Sequence, residues 1–335
     1  MNVKHDLVES VVAGKRLPLA RLLTLVENNA PEGRAALDQL FAHTGRAHLI
    51  GVTGSPGSGK SSLVNQIALA LRNPTNGKPA RSVAIVAVDP TSPFTGGAVL
   101  GDRVRMRDLA GDPGIFIRSM ASRGALGGLA RATTGVVQAL DAAGFDIVLV
   151  ETVGAGQAEV DIARLAHTTL VIEAPGMGDD IQAIKAGILE IADILVINKA
   201  DHPGVDSTVR ALRAMLELGH PTHPHSFTGS TAPLWIPPVL QTIATQSEGI
   251  NELVEAIDRH AAYLHTTGAW QARDRSRLQA ELEQLVQVEL NNNWRASVPP
   301  ELFQETLAQV ETRQISPYQA AKQLTLPLPE LHPGC

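Results

Sequence analysis

Eight consecutive residues, Gly54-Ser55-Pro56-Gly57-Ser58-Gly59-Lys60-Ser61, fit the pattern G-x-x-x-x-G-K-[ST]. Before them runs the apolar Leu49-Ile50-Gly51-Val52 and after them Leu63-Val64-Asn65-Gln66-Ile67-Ala68-Leu69-Ala70. Strand, glycine loop and helix in that order is the context that makes the pattern a phosphate-binding loop. The glycines let successive backbone N–H groups turn inward around phosphate oxygens, and the following helix adds the positive end of its dipole. Lys60 is placed to reach the β- and γ-phosphates, and the Ser61 hydroxyl to ligate Mg²⁺ on the same phosphates. A chain with this unit is expected to bind a nucleoside triphosphate.

The sheet that such a loop requires is visible as short apolar runs at 48–52, 83–88, 147–150, 169–172 and 194–197. Their near-continuous apolar character suits strands covered on both faces, as in a parallel sheet. Asp89, Glu151 and Asn198 each follow one of these runs. Ligands of open α/β sheets bind outside the carboxyl ends of strands, so these three side chains are expected near the loop. Helical periodicity precedes the sheet, through Leu7, Val11, Leu19, Leu22, Leu23, Leu37 and Leu40, and returns from about residue 248. The expected partition is an N-terminal helical segment, 1–45, a P-loop α/β domain, 46–262, and a C-terminal helical extension, 263–335. Within the last, a helix over 271–291 carries Leu278, Leu282, Leu285, Val286 and Leu290 on one side. That stripe either packs on the chain's own core or pairs two copies.

A net charge of −6, from 28 Lys+Arg against 34 Asp+Glu, offers no general attraction to nucleic acid or an anionic membrane. No stretch approaches the roughly 20 apolar residues of a membrane span. Met1-Asn2-Val3-Lys4-His5-Asp6 lacks a signal-peptide core, so a cytoplasmic location is expected. The only cysteine is Cys335, which leaves no intrachain disulfide or thiolate cage, and any metal is expected on oxygen ligands.

Asn198-Lys199-Ala200-Asp201 follows the fifth run directly and fits N-K-x-D. An Asp carboxylate accepts from guanine N1–H and its exocyclic amine, a donor pair that adenine lacks, so GTP and GDP are the expected nucleotides. Asn198 is expected to hold the base-binding loop and the other edge of the guanine, with the Lys199 stem packed on the ring. Glu151-x-x-Gly154 occupies the place of a D-x-x-G switch with a longer carboxylate. Carboxylates there act through Mg²⁺ or its waters, and Gly154 can offer its N–H to the γ-phosphate. Arg105 stabilises transition-state charge in cis or forms a structural ion pair, and Gln157 is a candidate to orient the attacking water.

Together with Ala87-Val88-Asp89-Pro90-Thr91-Ser92, the stretches 95–102 and 124–129, and Val150-Glu151-Thr152-Val153-Gly154, these motifs resemble the MeaB/ArgK/MMAA family of P-loop GTPases over roughly residues 8–325. The matching part of the loop extends to Ser62. The resemblance implies a SIMIBI-type doubly wound, mostly parallel sheet, with N-terminal helices and a C-terminal extension that forms a homodimer. It implies a GTP-hydrolysing chaperone that gates adenosylcobalamin loading, protection and reactivation of an acyl-CoA mutase acting on methylmalonyl-CoA, isobutyryl-CoA or 2-hydroxyisobutyryl-CoA. It assigns Asp89, Asp102 and Glu151, beside Ser61, to the Mg²⁺ and switch region. The segment from Glu173 to Lys185 looks like the family's additional switch, and Lys185 joins Lys60, Glu151, Asp102, Arg105 and Gln157 among the catalytic candidates. Ile243-Ala244 stands where relatives carry a Ser-Ala pair whose backbone touches the guanine carbonyl, so Ala244 takes that contact.

A different class, a nickel metallochaperone GTPase, would need metal ligands, for which His220, His223 and His225 are the candidates. A proline-rich surface loop that contains histidines accounts for the same residues. A kinase reading has no identifiable acceptor site.

Overall fold

The computed structural model describes residues 3–75, 77–90, 109, 111–122, 128–152, 157–176, 190–218 and 234–325. These divide into two compact units, residues 1–277 and residues 278–335.

The first unit opens with helices α1 (Val3–Val12), α2 (Arg16–Glu27) and α3 (Pro31–Leu40), the last started by Pro31, whose fixed φ and missing N–H suit a first helical turn. The sheet follows: β1 (His48–Gly54), β2 (Val83–Pro90), β3 (Ile115–Ser122), β4 (Ile147–Thr152), β5 (Thr168–Glu173), β6 (Ile194–Asn198) and β7 (Val239–Thr242). Its order is β3-β2-β4-β1-β5-β6-β7, and every neighbouring pair is parallel. Helices α4 (Lys60–Arg72), α5 (Gly128–Ala142), α6 (Gln157–Leu165), α7 (Val205–Leu218) and α8 (Ile250–Thr267) supply the two covering layers.

Period-two alternation sends one strand into two cores. Ile50, Val52, Val83, Ile85, Ile147 and Leu149 pack with α4 and α8. Leu49, Ala84, Val86, Val148 and Val150 face the other way, against α5, α6 and the N-terminal helices. The order places β1, with the loop at its end, between β4 and β5. Anything carried at the carboxyl ends of those two strands therefore flanks the loop.

The N-terminal helices are fastened to the edge strand β3. Arg16 donates to the carbonyls of Asp112 and Ile115, and Arg118 of β3 pairs with Glu27. Asp112 also takes both ends of the Arg72 guanidinium, at 3.0 and 2.9 Å, tying this corner to the last turn of α4.

The amino ends of the strands carry a second polar cluster. His48 Nε2 lies 2.7 Å from Thr168 Oγ1, which lies 2.9 Å from His260 Nδ1 of α8. His260 Nε2 is 3.3 Å from Asp193, and Asp193 receives two parallel 2.8 Å bonds from Arg273. Arg273 belongs to the first turns of α9 (Ala269–Ser297). His167 accepts from the Leu49 N–H at Nδ1, which leaves Nε2 to donate to Asp274 at 2.9 Å, and its ring stacks on Trp270. The network thus anchors α8 and the start of α9 to the sheet.

The second unit contains the rest of α9, then α10 (Pro300–Glu311) and α11 (Pro317–Thr325). Trp294 Nε1 donates to Leu324 O at 2.8 Å, and its ring meets Phe303 edge-on. Leu278, Leu282, Leu285, Val286 and Leu290 are all exposed, the largest fractions being 62 % for Leu282 and 63 % for Leu290.

Candidate functional site

β1 ends at Gly54, whose φ of +126° and closeness to β5 admit no side chain: a Cβ there would lie 2.0 Å from the Ile172 carbonyl. The loop therefore leaves the strand pressed against β5. It closes at Gly59, φ +90°, where a Cβ would strike the Asn198 side chain at 2.4 Å. Between them Pro56 and Gly57 are exposed and Ser58 is fully buried. α4 then begins at Lys60, so the phosphate loop and the helix N-terminus stand in the order that the motif requires. Ser62 follows on the first turn.

Lys60 is buried, and its ammonium donates to the carbonyls of Gly54 and Ser55 at 2.9 Å each. The side chain crosses the loop that it serves. Ser61, also buried, donates to Glu151 Oε1 at 2.6 Å, a length typical of a hydroxyl on an ionised acceptor. Glu151 sits one residue from the end of β4, where the strand register places it beside Val52 of β1. One turn beyond Ser61, Asn65 is 5 % exposed and its side-chain oxygen has no hydrogen-bond partner. A serine hydroxyl in contact with a carboxylate makes a hard-oxygen donor set. Mg²⁺ takes such a set together with phosphate oxygens and water, so the residues present fit that ion.

The guanine-signature residues gather at the carboxyl ends of β6 and β7. Asn198 donates from Nδ2 to the Ser58 carbonyl at 2.8 Å, while its Oδ1 accepts from Thr242 Oγ1 and from the Ala244 N–H, each at 3.1 Å. It stitches the phosphate loop to the turn after β7. Ala244 is thus joined to the signature asparagine. Lys199 has a φ of +59°, a left-handed conformation uncommon outside glycine, and the Ala200 N–H is held by Thr242 O at 3.1 Å. Asp201 is exposed beyond this turn, where its carboxylate is open to a ligand.

The structure brings Lys60, Ser61, Glu151, Asn198, Lys199, Asp201 and Ala244 to one edge of the sheet. Asp89 shares that edge, since β2 ends beside β4 and its preceding residue, Val88, pairs with Thr152. Gln157 opens α6. Gly154, Asp102, Arg105 and Lys185 lie outside the described residues, as do His220, His223 and His225. Among the described residues no group of three or more His, Cys, Asp or Glu is placed to hold a metal, and no helix is long and apolar enough to cross a membrane. One contact had no sequence signal: Ser55 Oγ donates to Glu173 Oε2 at 2.6 Å across 118 residues.

Residues 19–298 match the family model described as methylmalonyl-CoA mutase-associated GTPase MeaB. A putative GTPase of Pyrococcus abyssi is 44% identical over 94% of both chains. The GTPase ArgK of Escherichia coli is 34% identical over 93% of this chain and 92% of its own. A mitochondrial methylmalonic aciduria type A homolog of Caenorhabditis elegans is 32% identical, covering 76% of this chain and 64% of that protein. Among solved structures, one described as a LAO/AO transport system kinase superposes with a TM-score of 0.67 at 28% identity, over 97% of each chain. A phosphate loop with its lysine and serine in place, a guanine signature stitched to that loop, and relatives named as GTPases along almost the whole length make this chain a GTPase and a member of the methylmalonyl-CoA mutase-associated GTPase family.

Proposed function

We propose that GTP hydrolysis by this chain times the loading, protection and reactivation of an adenosylcobalamin-dependent acyl-CoA mutase. The observation that carries the reading is the family match over residues 19–298, whose description names a mutase. The C. elegans relative, named for methylmalonic aciduria, supports the same substrate class. In this reading the output of the site is conformational: the γ-phosphate orders segments around the loop, and hydrolysis releases them. Lys60 binds the phosphates, Asp201 and the Asn198 turn select guanine, and Asp102, Arg105, Gln157 and Lys185 complete the catalytic set. Ser61, Asp89, Asp102 and Glu151 hold Mg²⁺, directly or through water. When bound, the ion neutralises charge on the β- and γ-phosphates. The protein works in the cytoplasm.

The exposed stripe Leu278, Leu282, Leu285, Val286 and Leu290, with Phe303 and Leu307 on the next helix, supports a homodimer formed by the second unit. Ending the chain after Arg277 then yields monomers in sedimentation. The central test is GTP turnover of the purified chain with and without candidate mutases. Slow intrinsic hydrolysis that a cobalamin-dependent acyl-CoA mutase accelerates is expected. Turnover unmoved by methylmalonyl-, isobutyryl- and 2-hydroxyisobutyryl-CoA mutases would overturn the reading while leaving the GTPase intact.

A further inference from the structure

Ser61–Glu151 has a twin. On the other side of β1, Ser55 Oγ donates to Glu173 Oε2, and both hydroxyl–carboxylate pairs measure 2.6 Å. Glu151 occupies the familiar switch position; Glu173 opens the segment that resembles an additional switch, a resemblance that gives the residue itself no role. It ends β5, every residue of which is buried, and is itself 5 % exposed. A carboxylate in that place is costly unless its partners repay the lost hydration. The strand register explains how the pair forms. Gly54 lies across from Ile172, and the glycine's close approach to the Ile172 carbonyl delivers the next loop residue to the next residue of β5.

Ser55 is held at both of its polar ends. Its hydroxyl is committed to Glu173, and its carbonyl accepts from Lys60 Nζ at 2.9 Å and from the Ser58 N–H at 3.2 Å. The second residue of the phosphate loop is therefore the joint between a fixed strand end and the lysine that must meet the phosphates. We propose that Glu173 is a positioning residue for GTP hydrolysis, holding Ser55 and, through it, the seat of Lys60. On binding a triphosphate, Lys60 exchanges the loop carbonyls for phosphate oxygens, and Ser55–Glu173 is the contact that keeps the loop's first turn in register during that exchange. An acceptor-only group is the right partner, because a carboxylate cannot turn to donate and release the serine. The proposal concerns hydrolysis itself and does not depend on any mutase.

The test is steady-state GTP turnover of the full chain with three variants, alongside binding of a fluorescent GDP analogue and a thermal melt. Glu173→Ala is expected to lower kcat about ten- to a hundredfold, the scale of a small misplacement at a reacting centre, with KM within about threefold. Glu173→Gln, which still offers an oxygen to the serine hydroxyl but can also turn its amide towards it, recovers part of that loss. Ser55→Ala reproduces the Glu173→Ala loss, and the double variant is no worse than either alone, because both remove one contact. Should Glu173→Ala fail to fold, Ser55→Ala, on a half-buried loop residue, decides alone. A wild-type kcat in Ser55→Ala or Glu173→Ala, or losses that multiply in the double variant, would overturn the proposal.

Discussion

At the carboxyl edge of the sheet, Lys60 and Ser61 are each held by contacts that a phosphate or a cation can replace, and Ser58 Oγ and Asn65 Oδ1 are buried without any partner. At the amino edge of the same strands, hydrogen bonds join His48, Thr168 and His260, Arg273 holds Asp193 3.3 Å from His260 Nε2, and His167 with Asp274 runs beside them. Both regions bury polar groups in one sheet, and they differ in what those groups are left to do. Unpartnered or exchangeable polar atoms lower stability and are kept where a ligand completes them. A network whose groups mostly partner one another offers a ligand little and instead fixes geometry, here the attachment of α8 and the start of α9. Substitutions at the first edge are therefore expected to cost activity, and those at the second edge stability.

The largest effect is expected from Lys60→Ala. Loss of the one buried cation of the loop removes a preorganised charge from the phosphates and should lower GTP turnover by about 10²–10³-fold, the range seen for single transition-state donors. The melting temperature should fall far less than turnover, because burying the ammonium against two loop carbonyls already costs hydration that its removal recovers. Phosphate release and a thermal melt on the same preparation check both halves. A collapse in stability with turnover preserved would erase the distinction between the two edges.

Asp193→Ala is the counterpart at the other edge. Burial acts to raise the Asp193 carboxyl, but the Arg273 and His260 beside it prevail and hold it well below the usual range. Removing the carboxylate leaves Arg273, His260 and the Thr169 N–H without their shared acceptor. Breaking such a pair costs about 3 kcal/mol here, at the low end for buried pairs because the Arg273 side chain is 31% exposed. Denaturant unfolding should show that loss, while kcat for GTP, measured well below the melting transition, stays within about twofold.

How far each region was readable in the sequence follows the same line. The phosphate loop and the guanine signature are local in the chain, so their chemistry is written in consecutive residues. The five apolar runs are the five inner strands. β3 and β7 escaped because they are the sheet's edges. Arg118 and Ser119 interrupt the apolar run of β3, since Arg118 faces Glu27 of α2, and β7 has only four residues. The Ser55–Glu173 pair and the histidine network were illegible for a different reason: they join residues brought together only by strand order. The exposure of the Leu278 to Leu290 stripe likewise comes from the fold, because periodicity alone fits a buried face and a pairing face equally well.

The smallest expected effect separates the edges by pH. Burial, assisted by the nearby His167, lowers His48 from 6.5 to about 3, and burial lowers His167 as well. A histidine whose folded value is depressed stays neutral in the native state while the unfolded chain takes up a proton. Stability is thus fully present above pH 6.5 and declines as the pH falls from there towards about 3. At about 1.36 kcal/mol per pH unit, His48 alone removes about 2 kcal/mol by pH 5. The partnered carboxylates Asp193 and Asp274 are held low, so their contributions are lost only at more acid pH, as it falls below their usual range. Between pH 6.5 and 5 the histidines therefore set the slope. His48→Gln, which keeps a polar atom towards Thr168 and cannot titrate, should flatten that limb in unfolding curves taken at pH 7, 6 and 5. An unchanged slope would mean that His48 is hydrated and protonated within the fold, and the amino edge would then be an open site like its opposite.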